Sequence, residues 1–499
     1  MGGNILLKKT LTIGIMVLLF FSTAMVANAG HSTTSIISSY DGDTLYVGGS
    51  GPGNYSKIQD AIDNTSHGDM VFVYDDSSPY YENVLVNKSI NLVGENKDTT
   101  IIDGSGVGNV VFVSDDWVNI TGFTIQNSAS DGSGIKINTD YNCFSNNNVL
   151  KNLHGFYMTS SSNNKIIGNN VSNNRNGIIL ANSNNNTVTC NTANSNKYQG
   201  IRLWGSGSYN NMVKGNNVSN NKDSGIFLGT SSSNNKIMDN NVSNNKEGIF
   251  LSQLCDNNMI IDNIALNNID VGIALQYSCD SNMIIENDVS NNYCGIVLYQ
   301  VENNILYRNN LFNSSSSFNA WDNRHTNIWY NSTFQHGNYY DDYTGVDEDG
   351  DGIGDIPYDI PVVGNVDRYP LMVPWGENHA PNTPTIDGAV EGKVGETYNY
   401  SFISIDQDGN NISYFIDWGD GIEIAIGPYP SGEEATASHS WEERGTYIIR
   451  AKAIDIFGAE SNWSTLEVTM PRNKPIMNLF ESRFPLLYRL LLPFSERFR

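Results

Sequence analysis

Asp347, Asp349, Asp351 and Asp355 fall at positions 1, 3, 5 and 9 of a loop whose sixth position is Gly352. Closely spaced carboxylates repel unless a cation neutralises them, and this spacing around a turn-forming glycine is that of calcium-binding loops. The expected cofactor is therefore Ca2+. The twelfth position holds Tyr358 where a bidentate glutamate is usual, with Asp359 next, so the site is weaker or completed differently. The alternative is an acidic surface turn. A second set of residues is aromatic and basic: Tyr157, Arg202, Trp204, Phe227, Phe250 and Tyr299. Flat rings suit the apolar faces of sugars, and a guanidinium grips a carboxylate with paired hydrogen bonds, so these are candidate carbohydrate-binding residues.

Polysaccharide chemistry needs more than binding. Hydrolysis uses paired carboxylates, and elimination uses a base beside a cation that neutralises the substrate's carboxylate. Lys136, His154 and Arg202 are the residues able to take such parts, but their spacing does not define a reaction and no catalytic residue is assigned. Soft metals need clustered His, Met or Cys. The seven histidines are scattered, with His325 and His336 the near pair, and the five cysteines lack metal spacing.

These side chains must be carried by a repeat. Gly134, Gly155, Gly177, Gly200, Gly225, Gly248, Gly272 and Gly295 are each followed by Ile or Phe, at separations of 21, 22, 23, 25, 23, 24 and 23 residues. Regularity of this period indicates a solenoid, one coil per repeat. Each unit reads G-I-x-L, a polar loop, N-x-I-x-x-N and N-x-V-S-N-N. The apolar clusters have period two, which predicts three short strands per coil of about 22–25 residues in an all-β, parallel β-helix. Stacked in parallel at about 4.8 Å, Ile226 lies under Ile249 in a closed core. Asparagine tolerates left-handed backbone at the corners and bonds to its counterpart one coil away. Cys255 and Cys279 each lie seven residues after their glycine and are expected to stack.

The second residue after each glycine points outward, in the column Lys136, Tyr157, Ile179, Arg202, Phe227, Phe250, Ala274 and Val297, and the next outward column contains Trp204 and Tyr299. Aromatics on one strip mark a contact surface. It either binds glycans or seats this protein's own C-terminal parts.

Of 499 residues, 28 are Lys or Arg and 53 Asp or Glu, a net charge of −25 that excludes nucleic acid and anionic membrane as partners held by bulk charge. Lys8 and Lys9, an apolar run and Ala27-Asn28-Ala29 read as a secretory signal peptide over 1–29, placing the chain outside the cell or at its surface. The β-helix is expected over 44–375, with a cap and an acidic closing segment. A stiff linker at 376–384 precedes a small antiparallel β-sandwich at 385–470. The tail, 471–499, has six basic and two acidic residues around an apolar run too short to span a bilayer, and reads as an interfacial anchor to envelope or membrane surface or a docking segment, with a disordered terminus as the alternative.

Three segments, Ser56 to Asp63 (SKIQDAID), Tyr80 to Val84 (YYENV) and Ser89 to Gly94 (SINLVG), resemble the opening of right-handed parallel β-helix proteins. These include pectin methylesterases and the NosD type of copper-site accessory protein. The repeats, with Gly337 to Tyr343 and Asp349 to Asp355, resemble the NosD-like group most closely. Asp417-Trp418-Gly419-Asp420-Gly421 and His439-Ser440-Trp441 resemble the signature of PKD-type immunoglobulin-like modules, which usually space or bind. Asn138-Thr139-Asp140 resembles one polygalacturonase motif, whose other elements do not follow. The resemblance implies a fold that carries many activities. The expected function is a non-catalytic carbohydrate-binding, adhesion or surface-layer protein whose partners are polysaccharide or glycoprotein glycans. A polysaccharide lyase, hydrolase or epimerase, or a periplasmic copper-site accessory protein, stands as an alternative.

Overall fold

Period-two segments beginning at the repeat glycines form parallel strands, as in Glu247–Ser252, and each is followed by two three-residue strands, here Met259–Ile261 and Ile264–Leu266. The computed structural model describes residues 42–470 apart from 316–317, 349–351, 363, 377–378, 407 and 457. The expected signal peptide and the basic tail lie outside the described residues. Two compact units part near residue 377.

The first unit is a right-handed parallel β-helix in which every coil adds one strand to each of three sheets, of 11, 12 and 12 strands. Ile226 registers with Ile249, Phe227 with Phe250 and Leu228 with Leu251. The Ile and Leu of each strand point inward and are fully buried in one continuous core, each stabilising the fold by about 1.5–3 kcal/mol. The repeat glycine is a matter of space: a Cβ on Gly225 would sit 2.4 Å from the Val242 side chain and 2.7 Å from Asn245 Nδ2.

The asparagines divide into two classes that explain the recurring Asn-Asn doublet. The first member is in the left-handed region, as at Asn163, Asn234 and Asn257 (φ 58°, 57° and 56°). The second is buried and belongs to a ladder. Asn235 N and Nδ2 donate to Asn258 Oδ1 at 2.8 and 3.2 Å, and Asn235 Oδ1 accepts from Asn211. Such ladders run from Asn142 to Asn327, Asn147 to Asn338 and Asn152 to Asn292. A further inner column runs through Ser161, Ser183, Ser208 and Ser232 and continues as Cys255 and Cys279. Ser161 N donates to Ser183 Oγ at 3.2 Å, and Cys255 N to Cys279 Sγ at 3.4 Å, so the two thiols stack as expected, buried and unbridged.

The ladder backbone N–H groups donate toward the C-terminal coil, while Nδ2 groups donate both forward and to a carbonyl one coil back, and at the C-terminal end of two ladders an aspartate receives the donors. Asn338 N and Nδ2 donate to Asp367 Oδ2 at 2.6 and 3.1 Å, and Asn327 Nδ2 donates to Asp322 Oδ1 at 3.0 Å. At the other end the short helix Ile58–Asp63 covers the core with Ile58, Ala61 and Ile62, and the Glu82 carboxylate accepts from its first N–H groups.

The second unit has a three-stranded sheet (Thr385–Gly388, Tyr398–Ile403, Ala435–His439) and a four-stranded one (Glu423–Tyr429, Ile412–Asp417, Gly445–Asp455, Ser464–Met470). Its own core holds Tyr400, Trp418 and Trp441. The Trp418 and His439 rings stack at 4.6 Å, and His439 Nε2 pairs with Asp420 Oδ2 at 2.8 Å. The aspartate and tryptophan signature thus serves packing.

Candidate functional site on the outer face of the long-strand sheet

Alternation along the long strands turns two columns outward after the repeat glycine, and a break in the alternation at the inward-facing glycine adds a third before it. The middle column registers Lys136, Tyr157, Ile179, Arg202, Phe227, Phe250, Ala274, Val297 and Trp321 in successive coils. The column after it includes Ala181, Trp204, Gly229, Ser252, Gln276 and Tyr299. The column before the glycine includes His154, one of the residues able to take a catalytic part, and Asn176; the outward columns read from the sequence did not include it. Strict period two would turn this column inward with Phe156 and Met158, but the alternation breaks at the glycine, whose Cβ direction at Gly155 runs into the core side chain of Val171, so periodicity carried no signal for it.

Arg202 is the centre of the face. Its guanidinium carbon lies 4.1 Å from the Trp204 ring centre and 5.5 Å from that of Phe227. Its Nε is buried and has no hydrogen-bond partner among the described residues, and burial lowers its pKa, with the charge of Asp223 opposing the shift. A guanidinium so placed stays charged and has an N–H left over. Gly229 makes room for the cluster, since a Cβ there would meet the Phe227 ring at 2.5 Å. Phe227 and Phe250 meet edge to face at 5.6 Å.

Toward the N-terminal coils, Lys136 Nζ stands 5.7 Å from the Tyr157 ring centre, and the His154 ring lies 5.2 Å from that of Tyr157. Burial, then the charges of Arg175 and Arg202, pushes His154 down to about 4, so the imidazole is neutral at neutral pH. With the Asn176 amide donating at 3.1 Å, Nδ1 accepts and Nε2 carries the proton. Arg175, over the Tyr198 ring at 5.0 Å, adds a further cation that the sequence reading did not single out.

Outward direction does not guarantee exposure. Ile179 and Ala274 are buried at 5% and 1% beneath their larger neighbours, whereas Trp204 is 40% exposed. Tyr299 belongs to a separate aromatic group with Tyr277 and Trp321, at ring distances of 5.6 and 6.1 Å. It lies four coils, about 19 Å at 4.8 Å per coil, from Trp204. The strip is two patches.

Of the expected calcium ligands, Asp349 and Asp351 lie outside the described residues. Glu348 N donates to Asp355 Oδ2 at 2.7 Å and Asp355 N to Val346 O at 2.8 Å, bringing the two ends of the loop together beside Asp347. Among the described residues no group of three or more His, Cys, Asp or Glu is placed to hold a metal. Among the described residues copper donors do not assemble either. His336 Nδ1 accepts from Arg308 Nε at 3.0 Å, Cys255 and Cys279 are committed to the core, and Met259 and Met283 adjoin in a column flanked by Lys236 and Ile305.

A family model described as a right-handed beta helix region matches residues 105–264, and one described as a periplasmic copper-binding protein (NosD) matches residues 206–345. The PKD domain of an M14-like peptidase from Thermoplasmatales archaeon SCGC AB-540-F20 is 54% identical, with all of that domain and 19% of this chain covered and a TM-score of 0.19. An alginate lyase from Paenibacillus sp. str. FPU-7 is 13% identical over 99% of its length and 52% of this chain, with a TM-score of 0.34. Pectate lyase Pel9A is 13% identical over 81% of its length and 55% of this chain, with a TM-score of 0.36. No curated protein matches.

Proposed function

The chain is a NosD-like right-handed parallel β-helix carrying a PKD module, and from that premise we propose that it binds acidic polysaccharide outside the cytoplasm through the Arg202 face. The observation that carries this reading is the half-buried Arg202 guanidinium, held against the Trp204 and Phe227 rings. A uronate carboxylate would pair with the guanidinium in a charge-assisted bond while the rings receive the sugar's apolar face. Lys136 and Arg175 add cations within the same face, which a polymer with several carboxylates needs against a chain of net charge −25. The role is adhesion or surface association, with Asp347, Asp349, Asp351 and Asp355 holding Ca2+ in the closing segment and the 471–499 tail contacting envelope or membrane surface.

The test is a glycan array on the secreted protein, followed by titration of any hit. Trp204→Ala, Phe227→Ala and Arg202→Gln are each expected to weaken binding at least about tenfold, roughly 1.4 kcal/mol, with little change in melting temperature. Unchanged affinity in all three variants overturns the reading.

One observation favours a second reading, a polysaccharide lyase. The neutral His154 and Tyr157 stand together on a face that also holds Lys136 and Arg202. In an elimination the cation neutralises the carboxylate, a base takes the proton alpha to it, and the glycosidic C–O bond breaks as the leaving oxygen is protonated. Unsaturated sugar ends accumulating with wild type and not with His154→Ala would support it. An unaltered polymer leaves binding as the function.

A further inference from the structure

At the corner between the long-strand sheet and the next, left-handed backbone recurs at several positions, and the residue two before the next strand adopts it in each of the coils from Trp117 to Asn303. From Asn163, Asn185, Asn210 and Asn234 onward to Asn303 it is asparagine, with Ser281 the exception. Asparagine is the residue that visits this region most readily. In the two preceding coils the position is held by Trp117 (φ 62°) and Tyr141 (φ 60°), and bulky side chains are genuine outliers there. Burial does not compensate them, because Trp117 is 63% exposed and Tyr141 46%. The two rings lie parallel, with centroids 4.6 Å apart and planes inclined by 7°.

The polar surroundings are anionic. Asp115 and Asp116 precede Trp117, and Asp140 precedes Tyr141. Asp140 N donates to Asp116 Oδ1 at 2.8 Å, and Ser162 N to Asp140 Oδ1 at 2.7 Å, which fixes the two carboxylates beside the corner. Asp115 lies 3.7 Å from His67 Nδ1.

We propose that the stacked Trp117–Tyr141 pair is a second binding site, a platform for a neutral polysaccharide, separate from the Arg202 face. Flat ring surface standing out from a polar corner matches the apolar face of a pyranose ring. Carboxylates beside it accept hydrogen bonds from sugar hydroxyls and repel uronates, so its ligand is neutral where that of the Arg202 face is acidic.

The experiment is affinity electrophoresis of the full chain in gels containing hydroxyethylcellulose, galactomannan or arabinoxylan, with polygalacturonate as the acidic control, beside thermal melting. At least one neutral polymer is expected to retard the wild type. Trp117→Asn and Tyr141→Asn should each weaken that retardation at least tenfold while leaving retardation by polygalacturonate as it is in the wild type. Both variants place the repeat's usual residue at the corner, so the melting temperature should stay level or rise. The proposal is overturned if no neutral polymer retards the wild type, or if the variants keep their retardation. It is overturned equally if they melt well below the wild type, because the rings are then corner packing. Loss of acidic-polymer binding through Arg202→Gln, with neutral binding intact, separates the two sites, and failure of the acidic site alone leaves this one standing.

Discussion

Asp367 shows what one residue does at the end of a ladder. It sits where the next asparagine would stand and accepts from Asn338 N, Asn338 Nδ2, the Tyr340 hydroxyl and Tyr369 N. Burial nonetheless pushes its pKa up to about 7, against the lowering by those donors. A folded-state pKa raised above the unfolded one means that the folded chain binds the proton more tightly. The stability from this group is fully present below about pH 4 and is lost as pH rises through about 7. Asp322, also raised by burial, has the same sign. Wild-type denaturant midpoints should therefore fall from pH 5 to pH 8 by an amount equivalent to about 2–4 kcal/mol, and Asp367→Asn should flatten much of that slope. An equal slope in the variant would show that other groups set it.

At the element scale the informative unit is the Asn-Asn doublet at a coil corner, whose members have opposite duties. Asn234 is exposed and left-handed, so Asn234→Ala should cost about 1 kcal/mol for the backbone conformation alone. Asn235 is fully buried, donates to Asn258 and to Ser208 O, and accepts from Asn211 N and Nδ2. Removing it strands several buried polar groups, and Asn235→Ala should cost at least about 3 kcal/mol. Urea unfolding of the pair of variants measures the difference directly, and equal costs would refute the division of roles. Buried asparagines that look interchangeable with their neighbours in a polar run are thus as much part of the core as Ile237 or Ile249.

For the whole molecule, the charge of −25 sets the terms on which any cation acts. Self-repulsion is relieved by every salt, so calcium binding in the closing segment must appear as an increment over magnesium or sodium at equal ionic strength. Calcium is expected to raise the melting temperature of the β-helix unit by mass action, and Asp349→Asn with Asp351→Asn should abolish the increment. Identical melting in calcium, magnesium and sodium would reduce the loop to an acidic turn. The sandwich has its own core, centred on Trp418 and Trp441, so its transition serves as the internal control.

By itself the sequence determined the β-helix, because a solenoid is a nearest-neighbour structure in which a constant spacing translates directly into register. Gly225 and Gly248 set Phe227 opposite Phe250, Cys255 and Cys279 come to stack, and the asparagine positions mark the ladders. Tertiary structure decided the site. That Ala274 is covered while Trp204 stands out, that Arg202 nests between two rings, and that Tyr299 belongs to a different patch all depend on side-chain size one coil away. The Trp117 and Tyr141 pair was invisible for a related reason: its distinctive feature is left-handed backbone under bulky rings, and conformation at a corner is imposed by the coils on either side.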